Sequence, residues 1–568
     1  MRAPTTRPLP PARSTTRAIG ASIASMFFVA LVSATPASPF HPVLPEEPGG
    51  PLRWISDLIG LGNLSTMGLV FVGLLATATA AIAFLLVLRE AWHGRITLRT
   101  VLLLALGYHL AVLMLPLLFS RDVYSYAYYG RIVSTYGSNP YVATPLDFPL
   151  NSLFDLTWPG WRGTPSVYGP LFTWMSAFLT STTKSIPSLI TSFQLLAGAA
   201  SLGTAALLAR TAQRVRPERA VFAAAVVGLN PIVVFHVVGG GHNDMLVALA
   251  IAAAAAALFS GHRLTAAILL GLGMSVKATA VVPLLLLLVA VAASAPPDKR
   301  RRELLAFCGI VGGGWLVLAL PFLQLTNPTL GLFGVAGNDS WMAPGQLVVQ
   351  VGMAIGSLVA GDAGADVGAI IARLSLFALS VTGVLLIARQ LWRRPDARTP
   401  AGIAAAWAWA LLIVILPSPV LFTWYLVWIL PLAWVLPKIP RRALVLLSAS
   451  FILTQVVTES TGLPEFLQTI KLPFGHPIAI AVLIWVGRDF VHRLRAGTLL
   501  HIETGSPAFG DAFEEGPAVI ETIDGSVDVR TLRTPGSAAH ARGGQGAGPS
   551  RAPADHITAA SFALRRRM

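Results

Sequence analysis

From about residue 18 to residue 487, long apolar runs alternate with short loops that are by turns rich and poor in arginine. This alternation limits the possible folds more than any single motif does. About 20 consecutive apolar residues are needed to cross the hydrocarbon core of a bilayer as a helix. Inside that core each backbone N–H and C=O must be paired within its own segment, so runs of this kind span as helices. The 568 residues are 54% hydrophobic and 12% charged, whereas a soluble domain carries roughly 25% charge. The expectation is an all-α, polytopic membrane protein.

A formal net charge of +15 raises nucleic acid as a partner. The placement of the charge excludes it, because Lys and Arg gather in short loops between apolar runs, as they do in cytoplasmic loops. The bilayer is the implied partner. The single cysteine, Cys308, lies within an apolar run, which leaves neither a disulfide framework nor a CxxC metal motif.

Loop charge sets the expected sidedness. Residues 1–17 read as a cytoplasmic segment and 18–34 as a signal anchor, with a cleaved signal peptide as the alternative. Segment 36–63 then lies outside. Spans are predicted at 65–88 and 100–119, the second delivering Arg121 and Asp122 to an outer loop, 120–168, broken by Gly and Pro into short helices and turns. Residues 169–183 are too short to cross and read as interfacial or re-entrant, and 187–209 crosses. Spans 220–238 and 245–260 flank Gly239-Gly240-Gly241-His242-Asn243-Asp244. The run 264–295 is divided by Lys277, which predicts a hairpin turning there. Spans 303–323, 367–390, 400–416, 424–437, 443–458 and 477–487 complete the domain, with an outer loop, 324–366, that has no Lys or Arg. The total is about 13–14 crossings within residues 18–495, both termini cytoplasmic. Residues 496–568, rich in Gly, Ala, Pro and Ser, are expected to be a disordered cytoplasmic tail.

With that parity the irregular polar motifs share the outer side: Arg121-Asp122, Trp161-Arg162, Tyr168, His242-Asn243-Asp244, Lys277, Asn338-Asp339-Ser340-Trp341 and Trp424-Tyr425. Charged groups near a bilayer are costly and mark function by default. Acids, cations and aromatics on one face suit a polar substrate with an anionic part.

Several stretches then carry a resemblance in their order: Ser120-Arg121-Asp122-Val123-Tyr124-Ser125-Tyr126, Asn139-Pro140-Tyr141, the run from Trp161 to Phe172, Asn230-Pro231, Gly241-His242-Asn243-Asp244, Val276-Lys277, Ser340-Trp341-Met342, and Trp424-Tyr425-Leu426-Val427-Trp428. Across about residues 60–490 the chain resembles the actinobacterial polyprenol-phosphate-mannose-dependent α-1,6-mannosyltransferases, which are GT-C glycosyltransferases. The resemblance implies a GT-C fold with short helices in the first outer loop. It also implies an inverting enzyme of the cytoplasmic membrane with its active site on the extracytoplasmic face. The donor would be a polyprenyl-phosphate sugar and the acceptor a lipomannan-type glycolipid or oligomannoside.

The resemblance puts Asp122 in the role of the base that removes the acceptor hydroxyl proton, an effect of about 10²–10⁴-fold; the alternative is a helix-end acid paired with Arg121. Departure of a phosphate builds negative charge that fixed cations stabilise, and Lys277, His242 and Arg162 are the candidates. Lys277 is the sharpest, against snorkelling to the surface. Asn243 and Asp244 bind substrate or cap a helix. Arg121 binds phosphate or orients Asp122. Tyr124, Tyr126, Tyr128 and Tyr129, with Tyr168, Trp341, Trp424 and Tyr425, stack on sugars, or belong to an interfacial aromatic belt. His109 and His236 read as satisfied core histidines. No cofactor is indicated: the 120–168 loop has no DxD motif for a divalent cation, and no Gly-rich nucleotide loop is present. The competing readings are transfer of another polyprenyl-phosphate-linked sugar, a flippase for lipid-linked sugar, and a non-catalytic scaffold. The absence of repeated halves weighs against the flippase.

Overall fold

The computed structural model describes residues 13–42, 52–324, 330, 343–459 and 465–501, together with 522–523 and 526–527. Helix α1 is Arg13–Ser33, α2 is Arg53–Leu58, and α3 is Thr66–Trp92, started by Ser65, whose Oγ accepts the Gly68 N–H. Next come α4 (Leu98–Leu113), α5 (Asp122–Ser134), α6 (Pro170–Thr182) and α7 (Ile186–Val215). Helix α8 (Ala220–Gly228) runs past Asn230-Pro231 into a π-helical segment, Ile232–Val238. Then follow α9 (Asp244–Phe259), α10 (Arg263–Met274), α11 (Val281–Ser294), α12 (Pro297–Ala319) and α13 (Pro344–Arg393). The body ends with α14 (Pro400–Ile415), α15 (Lys438–Glu459) and α16 (Glu465–Ala496).

Among the described residues seven helices are long and apolar enough to cross a bilayer, and five shorter apolar helices have 10–17 residues. The chain is an all-helical polytopic membrane protein. Of the most apolar stretch within Pro217–Val238, 94% of the residues are buried, and it forms the centre; of that within Pro297–Phe322 only 11% are, and it lies at the rim. Composition explains the difference. Ala and Gly along α8 let neighbouring backbones approach, the usual basis of helix packing in lipid, while α12 presents Leu305, Ile310, Leu316 and Val317 outward.

Four expectations need correction. The run 100–119 is not one helix: α4 stops at Leu113, and a non-helical linker leads to Asp122. Within the expected loop 324–366, residues from Pro344 onward are helical; residues 325–329 and 331–342 lie outside the described residues. Helix α13 breaks at Ala360-Gly361 into a hairpin. There Gly352 meets the Gly368 carbonyl and Gly356 the Gly364 carbonyl, so a Cβ at either glycine would collide with the opposing backbone.

The expected span 424–437 is two 3₁₀ helices, Thr423–Trp428 and Leu430–Val435. Of the expected tail, residues 497–501 are described and Leu499 and Leu500 are buried, the Leu499 carbonyl accepting the Trp409 indole N–H at 3.1 Å. Most of the remainder lies outside the described residues. Asp511–Met568 forms a separate unit, in which β1 (Thr522–Ile523) and β2 (Ser526–Val527) pair antiparallel.

The predicted hairpin at Lys277 is present: α10 and α11 are its arms and Lys277 stands in the turn. Helix α6, with 13 residues, spans only about 20 Å, less than the length a membrane-crossing helix needs.

Candidate active site

The linker after α4 is fixed by two backbone bonds, Phe119 N–H to the Phe40 carbonyl at 2.7 Å and Leu118 N–H to the Gly239 carbonyl at 3.2 Å. Phe119 has a left-handed backbone, φ 61°, a conformation that costs a residue with a Cβ about 1–2 kcal/mol. The chain thereby reverses into α5, whose first residue is Asp122. Ser120 Oγ accepts the Asp122 N–H at 3.1 Å and starts the helix. The carboxylate thus sits at a helix N-terminus and is 21% exposed.

Across from it is the turn between the π-helical segment and α9. Its Gly241 has φ +66°, and the turn closes with His242 N–H on the Val237 carbonyl at 2.8 Å. His242, fully buried, places Nδ1 3.6 Å from Asp122 Oδ2, 3.9 Å from Asp244 Oδ2 and 3.4 Å from the Tyr126 hydroxyl. Asp244 opens α9 and is itself fully buried. Its Oδ1 accepts from Lys277 Nζ at 2.7 Å and from Trp428 Nε1 at 2.8 Å. A buried carboxylate needs such partners, since an uncompensated charge is several kcal/mol less stable there.

Lys277 is held from behind. Gly169 N–H donates to the Val276 carbonyl at 2.9 Å, and Leu171 N–H to the Ser275 carbonyl at 2.9 Å. Any Cβ at Gly169 would run into the Ser275 carbonyl. This close approach brings Tyr168 alongside, its ring edge-on to Tyr126 at 4.9 Å. The ammonium lies 5.0 Å from the centre of the Tyr425 ring and 5.2 Å from that of Trp428, within cation–π range.

The 3₁₀ strut supplies the remaining wall. Trp424 stands 4.6 Å from His242 and 5.0 Å from His236, and Phe422 stacks on its other side at 4.7 Å. His236 is sandwiched between Trp424 and Phe119, the latter at 5.5 Å.

Burial pushes the Asp122 carboxyl up to about 6; the Lys277 charge pulls it back and the Asp244 charge adds to the rise. Burial likewise holds His242 well below its ordinary range, with His236 and Lys277 contributing, so the imidazole between the two acids is neutral. A carboxylate that binds a proton near neutrality, beside a fixed cation and several aromatic faces, suits removal of a hydroxyl proton while an anion departs.

A family described as alpha-(1->6)-mannopyranosyltransferase, N-terminal domain, matches residues 21–293. Alpha-(1->6)-mannopyranosyltransferase A of Mycobacterium tuberculosis is 28% identical over 369 residues, covering 62% of this chain and 68% of the relative. The protein of the same name from Corynebacterium glutamicum is 24% identical over 340 residues, covering 56% and 68%. Over residues 21–293, just under half of its length, the chain is similar to the MptA/MptB family. A further M. tuberculosis alpha-(1->6)-mannopyranosyltransferase is 33% identical over 145 residues, 24% of this chain and 23% of that relative. No solved structure matches.

The fold brings together Asp122, His242, Asp244, Lys277, Tyr168, Trp424 and Tyr425. Arg121 is the residue just before α5. Asn243 precedes α9 without capping it, and neither of its buried amide atoms has a hydrogen-bond partner; the capping alternative fails for it. Trp341 lies outside the described residues. Arg162 is engaged in its own loop, over the Phe154 ring at 4.5 Å and 3.7 Å from the Asp155 carboxylate, which removes it from the cationic set around Asp244. His109 is satisfied, by the Ala105 carbonyl at 2.7 Å and Ser201 Oγ at 2.8 Å. His236 is not: both ring nitrogens are buried without a partner, and its stacking makes it part of the pocket wall. Trp428 carries no assigned role in the sequence, and Tyr126 enters it only as a sugar-stacking tyrosine; the structure sets Trp428 Nε1 on Asp244 and the Tyr126 hydroxyl 3.4 Å from His242 Nδ1. A buried aspartate demands donors beyond one lysine, and Trp428, four residues after Trp424, was the signal for one.

Proposed function

We propose that this chain is an inverting mannosyltransferase. It moves mannose from a polyprenyl-phosphate carrier to a hydroxyl of a growing α-1,6-mannan of lipomannan type, on the outer face of the cytoplasmic membrane. One observation carries the reading: Asp122, partly open and with raised proton affinity, faces a buried His242–Asp244–Lys277 array inside a membrane-spanning helical body.

In the reaction the acceptor oxygen attacks the anomeric carbon as its proton passes to Asp122. The bond from that carbon to the phosphate oxygen breaks, and its electron pair leaves on the phosphate monoester. Lys277 faces the developing charge with the two donors not used on Asp244. Asp244 and Trp428 hold that ammonium in place, and the aromatic faces of Trp424 and Tyr425 receive the sugar. The family match over residues 21–293 and the names of the relatives support mannose as the sugar.

The test is transfer in membranes that contain the full chain, labelled polyprenyl-phosphomannose and an oligomannoside acceptor. Asp122→Asn should lower formation of α-1,6-linked product at least 100-fold while its thermal melting is retained. Undiminished transfer would reject Asp122 as the base.

A further inference from the structure

At the other end of the helical body two arginines stack on one tryptophan. Arg219 Cζ lies 3.5 Å from the ring centre of Trp92, and Arg441 Cζ lies 4.2 Å from the same centre. Arg219 is 9% exposed and Arg441 5%. Arg219 immediately precedes α8, and the segment Pro217–Val238 separates it from His242 by roughly 30 Å. Arg441 lies in the first turn of α15, its Nη1 donating to the Leu436 carbonyl at 2.9 Å. Phe222 meets Trp92 edge-on at 4.9 Å.

Two features of this cluster point to an anion. Both arginines stand at helix N-termini, where the helix dipole disfavours cations and the free N–H groups favour a negative ligand. Arg219, 9% exposed as a residue, makes no hydrogen bond to any described acceptor, although its guanidinium carries five donors in a fork that fits phosphate oxygens. The indole holds both guanidiniums in place, which leaves little ordering to be done when a ligand binds. The surrounding sequence is basic on balance, with Arg214, Arg216, Lys438 and Arg442 nearby in the chain against one acid, Glu218.

We propose that Arg219, Arg441 and Trp92 form a phosphate-binding site remote from Asp122, taking the phosphate of an anionic lipid headgroup or a free phosphate. Juxtamembrane cations attract anionic lipid, and this pair adds a fixed geometry to that attraction.

Native mass spectrometry of the full chain in detergent, titrated with phosphatidylglycerol or phosphatidylcholine, tests the site. A parallel thermal-shift titration uses inorganic phosphate. The wild type should retain one phosphatidylglycerol at least tenfold more tightly than phosphatidylcholine. Arg219→Gln and Arg441→Gln should each abolish that preference, while Lys184→Gln, an exposed position on the loop between α6 and α7, should not. If inorganic phosphate alone raises the melting temperature, and Arg219→Gln removes the effect, the site takes a free anion. Equal retention of both lipids by the wild type, with no phosphate-dependent shift, overturns the proposal even if the variants fail to fold. Lipid preference that persists in both glutamine variants overturns it as well.

Discussion

His242 Nδ1 lies 3.6 Å from Asp122 Oδ2, so an imidazole stands beside the proposed base. Its other neighbour, Asp244, is neutralised by Lys277 at 2.7 Å. The proton affinity of Asp122 is therefore set largely by burial and only adjusted by the charges around it.

The first prediction concerns pH. With the Asp122 carboxyl raised to about 6, the group is protonated below that value and cannot accept the acceptor's proton. kcat/KM should fall about tenfold per pH unit below 6 and level off above it, measured from pH 5 to 8 in reconstituted membranes. A rate flat across that range would remove Asp122 as the titrating base.

Lys277→Met should destabilise the protein by about 3–5 kcal/mol, because it leaves the Asp244 charge buried and unpaired. Adding Asp244→Asn removes that charge, so the double variant should melt above Lys277→Met alone yet stay inactive. Melting temperatures that simply add would show the pair to be uncoupled.

Trp428→Phe keeps the ring beneath Lys277 but deletes the N–H on Asp244. The loss should be about 1–3 kcal/mol, with slower turnover as Lys277 becomes the single strong donor to Oδ1. An unchanged melting curve would mean that another donor replaces the indole.

Gly169→Ala introduces a methyl against the Ser275 carbonyl, next to Lys277. Overpacking of this kind costs about 1–3 kcal/mol. Turnover should drop more than stability alone would explain, because the strand carrying Lys277 must shift. Normal kcat in a folded Gly169→Ala protein would show that the position of Lys277 does not depend on this approach.

The sequence exposes what is local. A lysine that divides a 30-residue apolar run announces a turn, and the hairpin stands at Lys277. An Arg-Asp pair after a run of spanning length announces a site at its end, though not the linker of 114–121 that aims it. Partners distant in the chain leave little trace. Trp428 and Asp244 are 184 positions apart, and an indole in an apolar run looks like any other membrane tryptophan. His236 reads as a core residue because its sequence neighbours are apolar; its place against Trp424 depends on a π-helical turn that hydrophobic periodicity does not reveal. Arg162 misleads for the opposite reason, since its partners, Asp155 and Phe154, lie within eight positions of it.

The matched region ends at residue 293, yet the tight-wound strut from Thr423 to Val435 supplies Trp424, Tyr425 and Trp428 to the same pocket. During synthesis the ribosome therefore delivers the acid, the imidazole and the ammonium long before the indoles that brace them. An inserting chain carries an unfinished version of the proposed centre until about three-quarters of its length has been made, and a nascent chain arrested before Thr423 should bind to the membrane without turning over sugar.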